Sequence, residues 1–185
     1  SKLKHVAETI PSNVDKHSKE EEKNVRLCNY TDVYYNDSIA QSNGLMKATA
    51  TEDEIRRFRV YKGDVLITKD SETADDIGIP TYIEKDLEGV LCGYHLTIIR
   101  SGSRSNGKFL QYLFQSDQVK AYFEVSAKGL TRVGISQGAV GATPIAVPPL
   151  EEQEMLIQFL HKQNQIFERL ISDSHTTIAL LQERR

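Results

Sequence analysis

Acidic residues beside a lysine, at positions 64–72, are the first group in the sequence that could do chemistry. Asp64 precedes the apolar run 65–68, and Lys69, Asp70 and Glu72 follow it. A metal-dependent nuclease needs two carboxylates and a basic residue that converge from adjacent strands. Here the acidic residues fall at a strand end and in a loop, and Lys69 lies on the wrong side of the pair. This arrangement argues against a nuclease site.

A thiol and an imidazole lie close together in segment 92–95, and they have a simpler explanation than catalysis. Cys92 and His95 supply only two ligands, which is fewer than a zinc site uses. The glycines at 134, 138 and 141 do not follow a strand at the spacing of a dinucleotide-binding or phosphate-binding loop. We therefore expect a chain that is not an enzyme, with no metal and no cofactor of its own.

A long helix is predicted at the C-terminal end of the chain. Pro148 and Pro149 cannot lie inside a helix, so the helix begins near Leu150, and neither Pro nor Gly follows. Acidic residues at its start, and Arg184 and Arg185 at its end, suit the helix dipole. About 35 residues would span roughly 50 Å.

The apolar spacing of this helix predicts that it packs against another helix. Its heptad seam comprises Leu156, Leu160, Gln163, Phe167, Leu170 and Leu181. Isoleucines flank the seam and widen the apolar stripe beyond that of a two-helix coiled coil. We expect a coiled coil between molecules or between repeats; the alternative is a helix that folds back on its own domain.

The remaining patterns predict an α+β fold, with a compact mixed domain of sheets and helices at 1–149 and the helix at 150–185. Thr51 and Glu54 form a capping box before a short helix, and Gly107 opens an amphipathic one. The segment 129–147 is predicted to be glycine-rich and loop-like, with short strands. Predicted strands cover 25–28, 32–35, 65–68, 90–92 and 95–99.

Composition favours an intracellular protein. The 185 residues carry a net charge of −3 and contain two cysteines without ligand-like spacing. No apolar run approaches the length of a membrane span. We expect a reduced, cytoplasmic setting and no membrane partner.

Charge is distributed unevenly along the chain. Segment 62–88 holds three basic and eight acidic residues, a net −5, whereas segment 99–134 holds six basic and two acidic residues, a net +4. A basic zone within an acidic protein can bind a phosphate backbone at one place and disfavour it elsewhere. The alternative is a solvated surface with scattered charge.

Several segments in a fixed order carry a resemblance to a known family. They are Ser12–Lys16, Val25–Val33, Lys62–Glu72, Cys92–Leu96, Gly129–Arg132 and Pro148–Gln153. With these segments the chain resembles the specificity subunits of type I restriction-modification systems, and in particular one target-recognition domain followed by a conserved helical region.

The resemblance implies a sequence-specific DNA-recognition subunit in a prokaryotic cytoplasm. The recognition domain would read one half of a bipartite double-stranded DNA target, and the helix would set the distance to a second domain. Modification and restriction subunits would do the chemistry and bind S-adenosylmethionine, ATP and Mg²⁺. A full subunit has two domains and two helices, so this chain is expected to be a half-subunit. Two copies would read a palindrome, whereas a fragment of a two-domain subunit would read unlike half-sites.

Polar residues at strand ends and in glycine-rich segments are the candidates for contact with DNA. The predicted base-reading residues are Lys69, Ser71, Tyr94, His95, Arg132 and Gln137, and the predicted phosphate contacts are Lys108, Lys120 and Lys128. Arg132 suits guanine, Gln137 suits adenine, and Asp70 or Glu72 could accept from cytosine or order the loop. For each, an ordinary surface role is the alternative.

Two other hypotheses stay open at this point. A recognition fragment of a DNA methyltransferase would have a similar domain but would not need a long spacer helix. A helix-mediated scaffold without a DNA role would have no basic face and no salt-sensitive DNA binding.

Overall fold

The computed structural model describes residues 1–183, so the predicted role of Arg184 and Arg185 lies outside the described residues. Its strands are β1 (Ala7–Pro11), β2 (Lys23–Cys28), β3 (Ser38–Ile39), β4 (Met46–Ala50), β5 (Val65–Thr68), β6 (Asp70–Ser71), β7 (Pro80–Ile83), β8 (Val90–Cys92), β9 (Leu96–Ser101) and β10 (Val133–Gly134). Its helices are α1 (Tyr30–Tyr34), α2 (Glu52–Phe58), α3 (Gly107–Gln115), α4 (Asp117–Ser126), α5 (Gln137–Ala142) and α6 (Leu150–Glu183). Single 3₁₀ turns occupy Leu3–His5 and Ala74–Asp76.

The strands form three sheets. A five-stranded sheet has the order β1-β9-β5-β7-β3, in which only the β7–β3 pair is parallel. A three-stranded sheet has the order β4-β2-β8, with β2 and β8 parallel. The short strands β6 and β10 pair antiparallel. Together with the helices, these sheets confirm the predicted α+β class.

Two hydrophobic cores lie on opposite faces of the five-stranded sheet. Leu66 and Ile98 belong to the core shared with the three-stranded sheet. Val65, Ile67 and Ile99 belong to the core shared with α3, α4 and α5. Because β5 is buried on both faces, its whole sequence is apolar up to Thr68.

The helix α6 confirms the predicted start at Leu150 and continues for 34 residues to the end of the described chain. Only Gln153 is buried among these residues, and every residue from Asn164 to Glu183 is exposed. The alternative of a helix folded back on its domain is therefore wrong. Within residues 1–183, no helix has the length and apolar character needed to span a membrane.

Two local predictions were wrong. Residues 32–35 were expected to form a strand, but α1 occupies Tyr30–Tyr34. The carboxylate of Asp32 accepts a hydrogen bond from the backbone N–H of Asn29 at 2.8 Å, which caps this helix at its start. The segment 129–147, predicted to be loop-like with short strands, contains the short strand β10 but also the unpredicted helix α5, which the Ser136 hydroxyl caps by accepting from the Ala139 N–H.

An ion pair between Asp64 and Arg100 lies at the N-terminal end of β5. Asp64 is 2 % exposed, and its carboxylate accepts from Arg100 Nε at 2.9 Å and from Arg100 Nη2 at 2.7 Å. It also accepts from the Tyr61 N–H at 2.9 Å. The hydrogen bonds to Asp64 raise the pKa of Arg100. The pair therefore joins β9 to the turn before β5.

Replacement of Asp64 by Ala should lower the free energy of unfolding by about 3 kcal/mol, since it leaves a half-buried guanidinium without its partner. Urea denaturation of the purified chain measures this loss. The matched control is Asp53→Ala, which breaks the exposed Arg56–Asp53 pair and should cost less than about 0.5 kcal/mol. Equal effects of the two variants would contradict a structural role for the Asp64–Arg100 pair.

Candidate DNA interface

Asp70 is the centre of a polar cluster at the far end of β5. The Lys69 N–H donates to the His95 carbonyl at 3.0 Å, which extends the β5–β9 pairing by one step and brings Asp70 beside His95. The Asp70 carboxylate lies 2.8 Å from His95 Nδ1 and accepts from Arg132 Nε at 2.9 Å. Asp70 contacts only the Nδ1 atom of the His95 ring and the Nε and Nη2 atoms of the Arg132 guanidinium. His95 Nε2 and the remaining Arg132 N–H groups are therefore available to other partners.

Lys69 is held on the other side of this cluster. Its Nζ donates to the Ser12 carbonyl at 2.7 Å and lies 5.0 Å from the centre of the Tyr94 ring. Burial lowers the pKa of the Lys69 ammonium. The Tyr94 ring is half exposed and packs edge-on against His95, with ring centroids 4.2 Å apart. Lys69 and Tyr94 therefore form one surface with His95.

A tight loop over residues 128–134 presents Arg132. Lys128 and Gly134 exchange backbone hydrogen bonds at 3.0 and 2.9 Å, and β10 then pairs with β6. Gly129 has φ +143°, and a Cβ at this position would lie 2.0 Å from the Arg132 carbonyl oxygen. A glycine is needed here because the backbone closes on itself. The loop exposes Leu130, Thr131 and Arg132.

A cavity of about 520 Å³ borders this loop. Tyr30 and Tyr34 stack along one wall with ring centroids 5.5 Å apart, and the Tyr34 hydroxyl donates to Asp76 at 2.9 Å. Burial raises the pKa of Tyr30. The lining residues are Tyr30, Thr31, Tyr34, Tyr35, Ser71, Glu72, Thr73, Asp76 and Arg132. These tyrosines are not among the predicted site residues, because the sequence predicts a turn at Tyr30 and a strand at Tyr34 where the structure has α1. The spacing of Asn29 and Asp32, which suits a helix cap, was the available signal.

The structure brings together five of the six predicted base-reading residues. His95 and Arg132 contact Asp70, and Tyr94 and Lys69 are joined to them through the Tyr94–His95 and Lys69–Tyr94 contacts. Ser71 follows Asp70 but is buried in β6. Gln137 does not join them, since its side-chain amide donates to the Thr9 carbonyl at 2.8 Å on β1. The role of each in base reading stays a prediction.

The predicted phosphate contacts do not lie on one surface. Lys128 is exposed in the same loop as Arg132, and Lys120 is exposed on α4. Lys108 is half-buried between the rings of Tyr82 and Tyr112, and burial lowers its pKa. Lys108 follows Gly107, and Gly107 packs against Gly63 in the turn before β5. Lys108 therefore lies near the opposite end of β5 from Asp70. Lys128 is thus the candidate that shares a loop with a residue of the cluster.

The two oppositely charged segments of the sequence pair with each other. Arg100 and Arg132 come from the basic segment, and their partners Asp64 and Asp70 come from the acidic one. The predicted basic zone is therefore partly neutralised at both ends of β5. Within residues 1–183, no three side chains of His, Cys, Asp or Glu come together as a metal site would require.

The apolar side of α6 is a second exposed surface. Phe167, Leu170 and Leu181 each expose 56–59 % of their area, and Leu156 is also exposed. Leu160 and Gln163 are half-buried near the root of the helix. The predicted seam thus has no covering partner within the described part of the chain.

A family model described as the type I restriction modification DNA specificity domain matches residues 1–179. The chain belongs to this family. The resemblance drawn from the ordered sequence segments is confirmed, and the match favours a specificity domain over a methyltransferase fragment.

Solved structures share the fold of this specificity domain. A chain from a structure titled for the complex assembly and conformational transition of the type I R-M system superposes with a TM-score of 0.65 at 15 % identity, over 91 % of this chain and 38 % of that one. The S subunit from M. genitalium gives 0.56 at 14 % identity, over 93 % and 40 %. The HsdS subunit from Thermoanaerobacter tengcongensis gives 0.55 at 15 %, over 91 % and 38 %.

The specificity domain therefore spans about two fifths of the length of these solved chains. No match was found among curated proteins.

Replacement of Gly129 by Ala should open the 128–134 loop of the specificity domain, because the new methyl group would strike the Arg132 carbonyl. A strain of about 1–3 kcal/mol corresponds to roughly 10-fold to 100-fold faster hydrogen exchange at the Lys128 and Gly134 amides. Gly138→Ala is the control, since a Cβ there meets only a distant Ser136 oxygen. Unchanged exchange in Gly129→Ala would show that this loop does not depend on the glycine.

Proposed function

We propose that this specificity domain is a non-catalytic subunit that reads one half of a bipartite double-stranded DNA target. The observation that carries the proposal is a chain of contacts at Asp70, which holds His95 and Arg132, while the Tyr94 ring packs against His95 and the Lys69 ammonium lies over the Tyr94 ring. Base reading needs donors and acceptors held at fixed positions against base edges. Asp70 holds the His95 and Arg132 side chains in place before DNA binds. A side chain that is already ordered loses less conformational entropy on binding.

Arg132 is the proposed guanine reader. Its guanidinium is half exposed, and Asp70 takes only the Nε and one Nη2 hydrogen. The remaining N–H groups can donate to the O6 and N7 atoms of guanine. The Asp70 carboxylate also repels phosphates, so the cluster should bind weakly to DNA that lacks the matching base.

Two copies of the chain are proposed to pair through α6. The helix exposes an apolar seam that one molecule leaves uncovered, and a second copy related by a two-fold axis would present the same seam. Antiparallel helices of about 50 Å would hold the two recognition surfaces roughly one to one and a half DNA turns apart. The expected target is a palindrome with a central spacer.

The paired subunit is proposed to dock modification and restriction subunits in a prokaryotic cytoplasm. The family assignment supports these partners, which would carry S-adenosylmethionine, ATP and Mg²⁺. The chain itself is proposed to bind no cofactor, since its predicted role is to position the other subunits on DNA.

Replacement of Arg132 by Ala should weaken binding to the selected target by about 10-fold to 100-fold, from the loss of a bidentate base contact. Titration of fluorescent duplexes measures this loss, after the target has been selected from random DNA. Binding to unrelated DNA should change much less. Lys85→Ala, an exposed lysine in the acidic segment, is the control and should bind as the wild type does. An equal loss on all duplexes would assign Arg132 to phosphate contact instead.

Replacement of Lys128 by Ala should weaken binding to all duplexes alike and lower the slope of log affinity against log salt by about one. The same titrations, repeated at several salt concentrations, give this slope. A change confined to one sequence would contradict a phosphate contact at Lys128.

The double variant Phe167→Asp, Leu170→Asp should be monomeric, because two charges would enter the apolar seam. Analytical ultracentrifugation, alone and with a cognate modification subunit, reports the mass. Gln165→Asp adds a charge to the same exposed stretch away from the seam and should stay dimeric. A monomeric wild-type chain that ignores the modification subunit would refute the homodimer and leave a two-domain subunit as the better account.

A further inference from the structure

Gln153 is the one buried residue of α6 between Leu150 and Glu183, and both ends of its side-chain amide are hydrogen-bonded. Its Oε1 accepts from the Asn106 N–H at 2.9 Å. Its Nε2 donates to the Arg104 carbonyl at 3.0 Å and to the Pro148 carbonyl at 2.8 Å. A side-chain amide has two N–H donors, so both are occupied.

These hydrogen bonds join the start of α6 to the connection between β9 and α3. Arg104 lies in the connection that follows β9, and Pro148 lies in the turn that leads into α6. Asn106 caps α3, because its Oδ1 accepts from the Lys108 N–H at 2.8 Å. The root of α6 is thus tied to the start of α3 and to the end of the central sheet.

The rest of α6 adds little to hold its direction. Ile157, Leu160 and Gln163 are half-buried, and the helix is exposed from Asn164 onward. A small rotation at the root is amplified along such a lever. For a helix of about 50 Å, a tilt of about 10° moves the far end by roughly 9 Å. That displacement equals about 2–3 base pairs at roughly 3.4 Å each.

We propose that Gln153 is a positioning residue that fixes the angle of α6 on the recognition domain and thereby the distance between half-sites. The second part rests on the proposed pairing of two DNA-reading copies. Leu or Met would fill the same space, but neither would orient the helix, because apolar contacts have no direction. Two hydrogen bonds from one side chain reach backbone atoms of the β9–α3 connection, and a third reaches the turn before α6; their directions restrict the angle between the helix and the domain.

The first test uses the full chain without DNA. Spin labels on Glu124→Cys in α4 and Glu168→Cys in α6 report the angle as a distance distribution, measured after dilution with unlabelled chain. The native Cys28 and Cys92 are buried and should not react. Gln153→Met, which removes all three hydrogen bonds but keeps an unbranched side chain, should broaden the distribution at least about twofold. Gln158→Met, an exposed position one turn later, should leave it narrow.

A narrow, unshifted distribution in Gln153→Met would overturn the proposal. Hydrogen exchange of the wild-type chain gives an independent reading that needs no variant. The Asn106 amide should be protected as strongly as the amides of α3, and rapid exchange at this amide would also overturn the proposal.

The second test measures spacing on DNA. Duplexes carry the selected half-site twice, separated by spacers that differ by single base pairs. Wild type and Gln158→Met should favour the best spacer about tenfold over one that is 2 base pairs longer, and Gln153→Met should reduce that preference to less than about threefold. The loss caused by a mismatched base within a half-site should be equal in all three proteins.

The two tests separate the possible failures. Unchanged spacer preference in Gln153→Met would refute the role of Gln153 in spacing, even if the distances broaden. If the wild type binds no DNA, the proposed function fails, and the distance distributions still decide whether Gln153 fixes the helix.

Discussion

The burial of β5 on both faces is the constraint on which the rest of the structure depends. Leu66 faces one core, while Val65 and Ile67 face the other, so a slip of one residue would exchange them. The β5–β9 register is fixed for this reason, with Leu66 opposite Ile98. This register places Asp64 next to Arg100 at one end of β5 and Asp70 next to His95 beyond the other, and the β6–β10 pairing then brings Arg132 to Asp70. The Asp64–Arg100 ion pair and the candidate DNA cluster therefore lie at opposite ends of β5.

The same constraint explains how an acidic chain can present a surface for DNA. Net charge alone would disfavour a polyanion. However, the carboxylates of Asp64 and Asp70 are paired with the guanidinium groups of Arg100 and Arg132. The Asp70 carboxylate offsets part of the positive charge of Arg132 and holds its guanidinium in a fixed geometry. Under the proposed function, such a surface would favour sequence reading over general phosphate binding.

Different kinds of interaction build the candidate DNA cluster and the exposed side of α6. The cluster is made of charged hydrogen bonds beyond the end of the central strand β5, where direction matters. The helix α6 carries an apolar seam, which suits association over a long distance but specifies direction poorly. Gln153 lies between the two, because it is a polar side chain buried at the root of an otherwise exposed helix. A long spacer is useful only if its angle is defined.

The sequence by itself determined the elements whose signals are local. Pro148 and Pro149 set the start of α6, Thr51 and Glu54 capped α2, and apolar runs gave β2, β5, β8 and β9. Contacts between distant residues required the tertiary structure. Asp70 meets His95 and Arg132 across 25 and 62 residues, and Gln153 meets Asn106 across 47. A short segment of sequence determines neither the strand register nor the closure of a loop. Gln137 was therefore predicted to join the cluster, although its side chain hydrogen-bonds to Thr9 in the structure.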